Sequence, residues 1–425
     1  MSGGQHTTRT PLSTIVFLIV SAAFAFSDLG MVFAENWPCW RGPRGDGTSL
    51  DAGIPVEWSA LGNARTNIRW AVDLPATGHA SPIVWNDRIF CSGARASDQS
   101  RVLLCLDRAS GKLLWEKTVL TSPLEKIHKL NSYASSTPAT DGERVYVSFL
   151  HEKQMHIVAC DFAGNETWRV EPGVFSSIHG YCSSPVLFED LVIINGDHDG
   201  EAYLVALDRK TGKEQWKAPR VNKTRSYCTP IIRDIAGRTQ MMLSGSKSVA
   251  SYDPRSGKQL WVVDGPTEQF VASLVYGHGL VYVTGGFPDK HIVAFDPTGS
   301  GNVTKTHEVW HHERSGVSYV PSPILVGDYF LVASDNGFGT CFEAKTGKIA
   351  WQERMGRHYS ASLVAANGLA YFLDDDGITK VVRPGPSYDL VATNELGDEC
   401  YASPALADAE FFIRTPTKLF CVGKP

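Results

Sequence analysis

Aromatic and ionisable side chains recur just before a set of regularly spaced Ser and Thr residues, and their chemistry is suited to binding. They are His79, Tyr133, His179, Tyr181, Arg225, Tyr227, Phe270, Tyr319, His358, Tyr359, Glu399 and Tyr401. Tyrosine combines a large contact area with a hydroxyl that tolerates water, so such a set favours a binding surface. The alternative is that the rings wedge between strands as core, since aromatic side chains pack as readily as they bind. The sequence leaves both open, and the three histidines could converge without any need for a metal.

Two runs of carboxylates could in principle supply oxygen ligands for Ca2+. They are Asp374-Asp375-Asp376-Gly377 and Asp197-His198-Asp199-Gly200. Both runs lie between apolar segments and end in Gly, which is typical of solvated hairpin turns in which Asp accepts hydrogen bonds from backbone amides. The sequence therefore predicts turns here, without a metal. Because no G-x-S-x-G nucleophile elbow occurs either, no catalytic residue is predicted.

The aromatic set precedes eight aligned positions that mark an internal repeat. These positions are Ser81, Thr137, Ser184, Thr229, Ser273, Ser322, Ser362 and Ser403. Their separations run from 40 to 56 residues. A period of about 40–50 residues with strand-like content is typical of a β-propeller, in which each repeat forms one blade.

Each repeat contains four short segments with β character. In the third, residues 184–187, 191–194 and 202–208 read as three strands, and the turn 210–213 leads to a fourth that contains Trp216. An Asp, a turn Gly and a Trp recur in this order along the chain. The tryptophans are predicted to pack between blades as structural residues. They are Trp70, Trp115, Trp168, Trp216, Trp261, Trp310 and Trp351.

The eighth repeat supplies only three strands before the chain ends. The missing fourth is found at residues 67–74, which contain Trp70 but follow no strands of their own unit. Pairing this segment with the last repeat would remove two exposed sheet edges. The sequence thus predicts an all-β, eight-bladed β-propeller of four-stranded antiparallel blades over residues 67–425, closed by an N-terminal strand and preceded by an extension at 35–66.

Residues 1–34 read as an export signal. Arg9 precedes an apolar run over residues 12–26, and cleavage is expected before Glu35, with Ala25 as a second candidate site. The mature protein is therefore expected to be periplasmic or secreted, without a transmembrane helix. An apolar run this short favours a cleaved signal over a membrane anchor.

The nine cysteines form no CxxC pair, so the sequence does not predict a zinc site. Four of them, Cys105, Cys160, Cys341 and Cys421, lie at apolar positions of predicted strands and are expected to be buried thiols. An odd number leaves at least one unpaired within the chain, and the sequence does not determine any pairing.

Composition excludes other classes of function. With a formal charge of −5 and no basic stripe among the aromatics, nucleic acid is not an expected partner. A charged fraction of 20% and a hydrophobic fraction of 43% indicate a folded protein, neither a disordered tail nor a membrane bundle. A monomer is expected.

The repeat, read as S-P followed by an apolar strand and then [VA]-x-D-x-x-T-G-K-x-x-W, resembles the PQQ-like β-propeller repeat. Its best copies lie at 182–218 and 227–263. The opening Trp37-Pro38-Cys39-Trp40-Arg41-Gly42 resembles the start of an exported, planctomycete-type branch of that family. The resemblance implies two kinds of relative. Quinoprotein alcohol dehydrogenases bind pyrroloquinoline quinone and Ca2+ in the channel, and BamB-like propellers are non-catalytic docking scaffolds.

The residues favour the second kind. The dehydrogenase family places a vicinal cysteine pair beside the quinone, and this sequence has none. Only residues 120–132 could serve as a pocket-building insertion. The expectation is an exported, non-catalytic binding or scaffold propeller, without a cofactor, that takes a protein partner or a small ligand at its channel mouth. The alternative is a PQQ-dependent quinoprotein dehydrogenase that oxidises an alcohol or a sugar with Ca2+.

Overall fold

The computed structural model describes residues 1–5, 35–62, 65–313 and 317–424. Most of the predicted signal, including both candidate cleavage sites, lies outside the described residues. From residue 35 onward the described chain is built of strands and turns. Two strands precede the first blade: β1 (Thr48–Ser49) and β2 (Ile68–Asp73).

The first four blades follow in chain order, each named from its innermost to its outermost strand. Blade 1 contains β3 (Ile83–Trp85), β4 (Arg88–Arg95), β5 (Ser100–Asp107) and β6 (Leu113–Thr121). Blade 2 contains β7 (Ala139–Thr140), β8 (Arg144–His151), β9 (Gln154–Asp161) and β10 (Glu166–Val170). Blade 3 contains β11 (Val186–Phe188), β12 (Leu191–Gly196), β13 (Tyr203–Asp208) and β14 (Glu214–Pro219). Blade 4 contains β15 (Ile231–Ile235), β16 (Arg238–Gly245), β17 (Ser248–Tyr252) and β18 (Gln259–Asp264).

The other four blades complete the set. Blade 5 contains β19 (Val275–Gly277), β20 (Leu280–Gly285), β21 (His291–Phe295) and β23 (Glu308–Glu313), with β22 (Gly301–Asn302) inserted before β23. Blade 6 contains β24 (Ile324–Val326), β25 (Tyr329–Ala333), β26 (Phe338–Glu343) and β27 (Ile349–Arg354). Blade 7 contains β28 (Val364–Ala366), β29 (Leu369–Leu373), β30 (Ile378–Arg383) and β31 (Asp389–Glu395). Blade 8 contains β32 (Ala405–Ala407), β33 (Glu410–Arg414) and β34 (Lys418–Val422).

The predicted closure is confirmed. Strand β2 pairs antiparallel with β34, with Trp70 opposite Cys421, and becomes the outermost strand of blade 8. Two further additions were not predicted. Strand β22 extends blade 4 by pairing parallel with β18, and β1 extends blade 7 by pairing parallel with β28. The chain is an eight-bladed β-propeller whose first and last segments share one blade.

The blades are held together by apolar faces on both sides of their middle strands. In blade 3, Ile193 and Leu204 pack toward blade 4, while Val192 and Val205 pack toward blade 2. Such clusters fill every interface between successive blades, and the largest joins blades 7, 8 and 1. Burial on both faces explains why the middle strands read as unbroken apolar runs.

The outer-strand tryptophans lie against the turn of the following blade. In the clearest case, the Trp168 indole donates Nε1–H to the carbonyl of Arg209 at 3.0 Å, and a Cβ built on Gly212 would lie 2.8 Å from the ring. The same indole-to-carbonyl bond recurs at Trp70, Trp115, Trp216 and Trp310. The turn glycine is required because its φ is positive and the indole occupies the space of a side chain.

Two tryptophans depart from this arrangement because the blades that follow them differ. Trp261 faces blade 5, whose turn carries the β22 insertion, and its Nε1–H donates to Gln240 instead. Trp351 faces blade 7, which lacks the Gly turn, and its ring packs edge-on against Tyr388.

The four strand cysteines predicted to be buried are fully buried, so that prediction is confirmed. All nine cysteines, each within the described residues, are free thiols. Among those residues there is also no helix long and apolar enough to cross a membrane.

Candidate functional site: a channel closed at one end

The N-terminal extension enters the propeller channel and contacts its innermost strands. Residues 35–49, which we call the plug, begin beside blade 1, where the backbone of Trp37 pairs with Val84 of β3. The carbonyl of Pro38 then accepts the amide of Thr140 in β7 at 2.8 Å. The plug ends as β1, paired with the innermost strand of blade 7. It therefore crosses the channel from one wall to the other.

Arg41 fixes the centre of the plug. Its side chain is buried. Its guanidinium donates to the backbone carbonyls of Ser322 at 3.2 Å and Pro323 at 2.6 Å, in blade 6, and to the backbone carbonyl of Asp46 in the plug at 2.5 Å. Burial lowers the Arg41 pKa to about 10, so the guanidinium remains charged at neutral pH. From blade 4, Arg233 donates to the carbonyl of Arg44 at 2.6 Å. Carbonyl acceptors thus stabilise the buried charge through its two terminal nitrogens, and the same bonds anchor the plug.

The plug is also folded on itself. Glu35 pairs through both carboxylate oxygens with the guanidinium of Arg44 and accepts the amide of Leu50. Gly42 has a φ of 77°, and a Cβ there would lie 2.7 Å from the ring of Trp37. The glycine-rich stretch after Trp40 therefore serves a compact turn against the channel wall.

The eight aligned Ser and Thr residues surround the channel, and hydrogen bonds join them into two arcs, Ser81 to Thr229 and Ser273 to Ser403. The backbone N–H of one residue donates to the hydroxyl of its counterpart in the next blade. This bond is made at six steps: Ser81 to Thr137, Thr137 to Ser184, Ser184 to Thr229, Ser273 to Ser322, Ser322 to Ser362, and Ser362 to Ser403. At Ser273 the hydroxyl accepts the indole N–H of Trp40 at 3.0 Å instead. These residues therefore mark the repeat in the sequence and join neighbouring blades in the structure.

Above the plug lies a cavity of about 410 Å3, which we call the cup, with Trp40 in its lining. Every blade contributes to it the residue two positions before its aligned Ser or Thr. These residues are His79, Ser135, Cys182, Tyr227, Val271, Val320, Ser360 and Tyr401. Because successive residues of an extended chain point to opposite sides, the aligned residues and those two positions earlier share the channel face.

Six of the twelve residues predicted for the mouth line the cup. They are His79, His179, Tyr227, Tyr319, His358 and Tyr401. They contact one another in groups: His79 lies 4.7 Å from Tyr401 between ring centroids, and His179 lies 6.0 Å from Tyr227. The structure therefore brings together residues from six blade entries that are far apart in sequence.

Tyr181, Phe270 and Tyr359 lie elsewhere. Each is at least 94% buried and belongs to an apolar cluster between blades. All three stand three positions before the aligned Ser, and their side chains point into the blade interface, whereas Tyr319, at the same position before Ser322, lines the cup. For these three residues the expectation of a position at the channel mouth is wrong. They pack between blades, as the alternative interpretation of the aromatic set described.

The remaining three residues stand outside the cup lining. Tyr133 is half-buried beneath the guanidinium of Arg101, 5.8 Å from its ring centroid. Arg225 donates to Asp199 at 2.7 Å, and Glu399 is exposed and accepts the Tyr401 hydroxyl at 2.9 Å. Glu399 thus reaches the cup only through Tyr401.

Both carboxylate runs do form turns between middle strands, but they are not wholly solvated. Asp197 is buried and pairs with the buried Arg220 through both oxygens, at 2.8 and 3.1 Å. Asp374 is buried and accepts the amides of Asp376 and Ile378, and its burial raises its pKa to about 6. The expectation of solvated turns is wrong for these two residues because their blades enclose the turns.

Asp375 orients a histidine at the cup wall. Its Oδ2 lies 2.6 Å from Nδ1 of His358 and accepts the hydroxyl of Ser360 at 3.0 Å, while its Oδ1 accepts the Ser360 amide. With Nδ1 facing a carboxylate, Nε2 of His358 is the nitrogen left for a ligand. The sequence indicated His358 but not its partner, since a turn aspartate carries no sign of what it will contact.

Sequence reasoning also missed cup residues that come from connections between strands. His128 and Asn131 belong to the 120–132 insertion, and the Asn131 amide donates to the carbonyl of His179 at 2.7 Å. Lys290 and Asp335 come from turns between middle strands. The length of the 120–132 insertion is the one signal that the sequence offers for these residues, and it indicates only a possible wall of a pocket.

Burial favours the neutral form of several ionisable groups of the cup. Burial, with help from the Arg414 guanidinium, lowers the pKa of His79 to about 4, and burial also lowers the pKa of His179. Burial raises the pKa of Tyr319 to about 12 and that of the Asp335 carboxyl above its ordinary value. At neutral pH His79 and His179 therefore present uncharged imidazoles, and Tyr319 presents an uncharged phenol.

Comparison with protein families matches residues 98–268 and 288–383 to the family described as outer membrane protein assembly factor BamB. These two segments span more than half of the chain. The chain belongs to this family. Sequence analysis predicted the PQQ-like propeller family, to which BamB-like propellers are related, and that prediction is confirmed. No curated protein matches the sequence.

Solved structures share the fold at low identity. BamB from Moraxella catarrhalis superposes with a TM-score of 0.58 and 14% identity, over 84% of this chain and 99% of that one. A europium-containing methanol dehydrogenase gives a TM-score of 0.53 and 12% identity, over 89% of each chain. The computationally designed Ika8 protein gives 0.57 and 12%, over 88% of this chain and 98% of that one. At these identities the likeness establishes the fold alone, and the function must be argued from the site.

Proposed function

We propose that this protein is an exported, non-catalytic binding propeller that holds a small organic ligand in the cup. The observation that carries this proposal is the plug. It closes the channel at one end and leaves a cavity whose lining comes from all eight blades. A volume of about 410 Å3 lies within the range of ligand pockets, roughly 300–1,000 Å3.

The lining supports a ligand with an uncharged, partly aromatic body. The rings of Tyr227, Tyr319 and Tyr401 offer faces and edges for packing, and His79 and His179 offer neutral nitrogens. Lys290 supplies the cationic group of the lining, which suits a ligand with one acidic substituent. Few polar groups placed in a mostly apolar cavity are the usual basis of orientation and specificity.

The donor set does not favour the alternative, a dehydrogenase with pyrroloquinoline quinone and Ca2+. Asp335 is the one carboxylate among the described residues that line the cup, and its oxygens accept the amides of Tyr319 at 3.1 Å and Val320 at 3.0 Å. Calcium takes six to eight oxygen ligands, and a vicinal cysteine pair is missing. We therefore propose no step through that cofactor.

Export and the envelope location are part of the same proposal. They are supported by the signal-like sequence at 1–34 and by the family's description as an outer membrane assembly factor. The resemblance of the opening motif to a planctomycete-type branch stays a prediction, as does the monomeric state.

The test is native mass spectrometry of the protein purified from its own cell envelope without denaturation. We expect one small molecule bound per chain, retained in Leu114→Ala, a control at a half-exposed site on the outermost strand β6. The double variant His179→Ala/Tyr401→Ala should lose it. Stoichiometric binding of added pyrroloquinoline quinone with Ca2+, accompanied by dye-linked alcohol oxidation, would establish the dehydrogenase instead. An empty wild-type protein that copurifies with a stable protein partner would establish a scaffold.

A further inference from the structure

A second cluster of ligating side chains lies in blade 5, outside the cup. His291 stands at the start of β21, and His311 and Glu313 stand near the end of β23, the neighbouring antiparallel strand. His291 is the direct partner of Glu313, and His311 is two residues before it. Because alternate residues of a strand share a face, all three side chains project from the same side of the blade.

This face is the one that packs on blade 4. Val293 and Phe295, which alternate with His291 along β21, belong to the apolar cluster that contains Trp261 of blade 4. The His–His–Glu group continues that face beyond the apolar cluster, toward the end of the interface. His291 is buried there, whereas Glu313 is exposed, so the group is held by the blades and remains open to solvent on one side.

The ligand atoms already lie at distances close to those of a metal site. Nδ1 of His291 and Nε2 of His311 are 2.9 Å apart, and the nearest ligand atoms of the three residues all lie within 4.8 Å of one another. Zinc binds histidine nitrogen at about 2.0–2.1 Å, so two ligands of a tetrahedral site are separated by roughly 3.3 Å. The two histidine nitrogens would need to separate by about 0.4 Å, and the Glu313 carboxylate would need to move in by up to about 1.5 Å, to hold an ion between the three side chains.

The other nitrogen of His311 supplies an independent observation. Its Nδ1 lies 3.5 Å from the Oε2 atom of Glu308, three residues earlier on β23. Metal-bound histidines usually direct their second nitrogen to a carboxylate or carbonyl, which fixes the ring and its tautomer. Glu308 stands where that outer partner of His311 is expected.

We infer that His291, His311 and Glu313 form a binding site for a divalent transition metal of the Zn2+ class, with Glu308 as the outer partner of His311. Two histidines and one glutamate leave a fourth position for water or for an acidic group of another molecule. The sequence predicted no metal here because its signal, His-x-Glu on one strand, becomes a site only once β21 is placed beside it. The inference does not depend on the function proposed for the cup.

The experiment is a calorimetric titration of the full protein with ZnCl2 after removal of metals by EDTA. We expect one Zn2+ per chain, and visible absorption bands of low coordination number when Co2+ replaces it. Glu313→Gln, at an exposed position, and His311→Ala should each weaken binding by at least about 100-fold. Glu308→Gln, which removes only the outer partner, should weaken it by about 10–100-fold.

The matched control is His278→Ala, an exposed histidine of the same blade outside the cluster. It should bind zinc as the wild type does. Melting temperatures in EDTA show whether each variant is folded. Zinc should raise the melting temperature of the wild type and of His278→Ala by more than it raises those of the cluster variants. The inference is overturned if the wild-type protein binds no zinc, or if folded His311→Ala and Glu313→Gln both bind it with wild-type affinity.

Discussion

Replacing Gly42 by alanine tests how tightly the plug is fitted to the channel. The residue has a φ of 77°, and the added Cβ would meet three ring atoms of Trp37 at 2.7–2.8 Å. That ring is 1% exposed, and its backbone is paired with Val84, so it has little room to move away. The methyl group must therefore displace the plug or strain it.

Gly45 provides a matched control within the same loop. Its φ is 62°, but a Cβ there meets nothing within 4 Å. Gly45→Ala should cost only the left-handed backbone term, about 1–2 kcal/mol. Gly42→Ala should cost that term and a further 1–3 kcal/mol or so for overpacking. The entropy lost by the unfolded chain is common to both substitutions and cancels in the comparison.

The assay is equilibrium unfolding in guanidinium chloride, with hydrogen exchange followed by mass spectrometry on the plug peptide. Gly42→Ala should lower the free energy of unfolding by more than Gly45→Ala does. It should also speed exchange of the Trp37 and Gly47 amides, which are bonded to Val84 and Arg41. Equal losses of stability, or unchanged exchange in Gly42→Ala, would refute the tight fit and with it the closed end of the cup.

Three other outcomes follow from burial and charge. Trp168→Ala should cost about 3–5 kcal/mol of unfolding free energy in a denaturant melt; a cost below about 1 kcal/mol would contradict its packing between blades. Tyr359→Ala should lower the free energy of unfolding by several kcal/mol. Tyr401 is half-exposed on the cup wall, so Tyr401→Ala should lower it by less than about 1 kcal/mol. A larger loss for Tyr401→Ala than for Tyr359→Ala would contradict the positions assigned to the two rings. The folded-state pKa of His79 is about 4 and the unfolded value roughly 6.5. Only the unfolded chain gains the proton between these values, so stability falls as the pH is lowered from about 6.5 to 4. The melting temperature of His79→Gln should therefore fall less over that pH range than the melting temperature of the wild type. An equal fall in the two proteins would exclude the lowered pKa of His79.

The ring and its blade count could be predicted because their signals are local. A turn glycine and a tryptophan four residues later recur in five of the eight repeats. The closure by β2 could also be predicted from the sequence. The strand contains a tryptophan but follows no strands of its own repeat, so it had to complete another blade.

The plug could not be predicted in the same way. Residues 35–49 carry no strand or helix period, and their partners are remote: Trp40 bonds Ser273, 233 residues away, and Arg41 bonds Ser322, 281 residues away. Only the assembled ring brings those partners to one place. An arginine in a glycine-rich stretch otherwise indicates a solvated loop.

The division of the aromatic residues between cup and core could be predicted from the sequence only in part. His358 lines the cup and its neighbour Tyr359 is 1% exposed in the core, although both are ring-bearing residues at the same blade entry. Strand alternation separates this pair, since His358 stands four positions before the aligned Ser and Tyr359 three. Alternation alone does not give the whole division, because Tyr319, also three positions before its aligned Ser, lines the cup. The positions of the neighbouring blades were needed to assign each ring.

The shared eighth blade also governs the order in which this protein can be made. Strand β2 is synthesised before the strands of blades 1–7, and its partner β34 is synthesised after all of them. Until the ribosome has delivered Val422, the largest apolar cluster, between blades 7, 8 and 1, cannot assemble. Docking of the plug is delayed in the same way, because β1 can pair with β28 only after β28 has been synthesised. A chain that lacks β34 would therefore keep seven complete blades yet remain an open arc, with free sheet edges exposed to other chains. Ring closure thus depends on the pairing of two strands that are synthesised far apart in time.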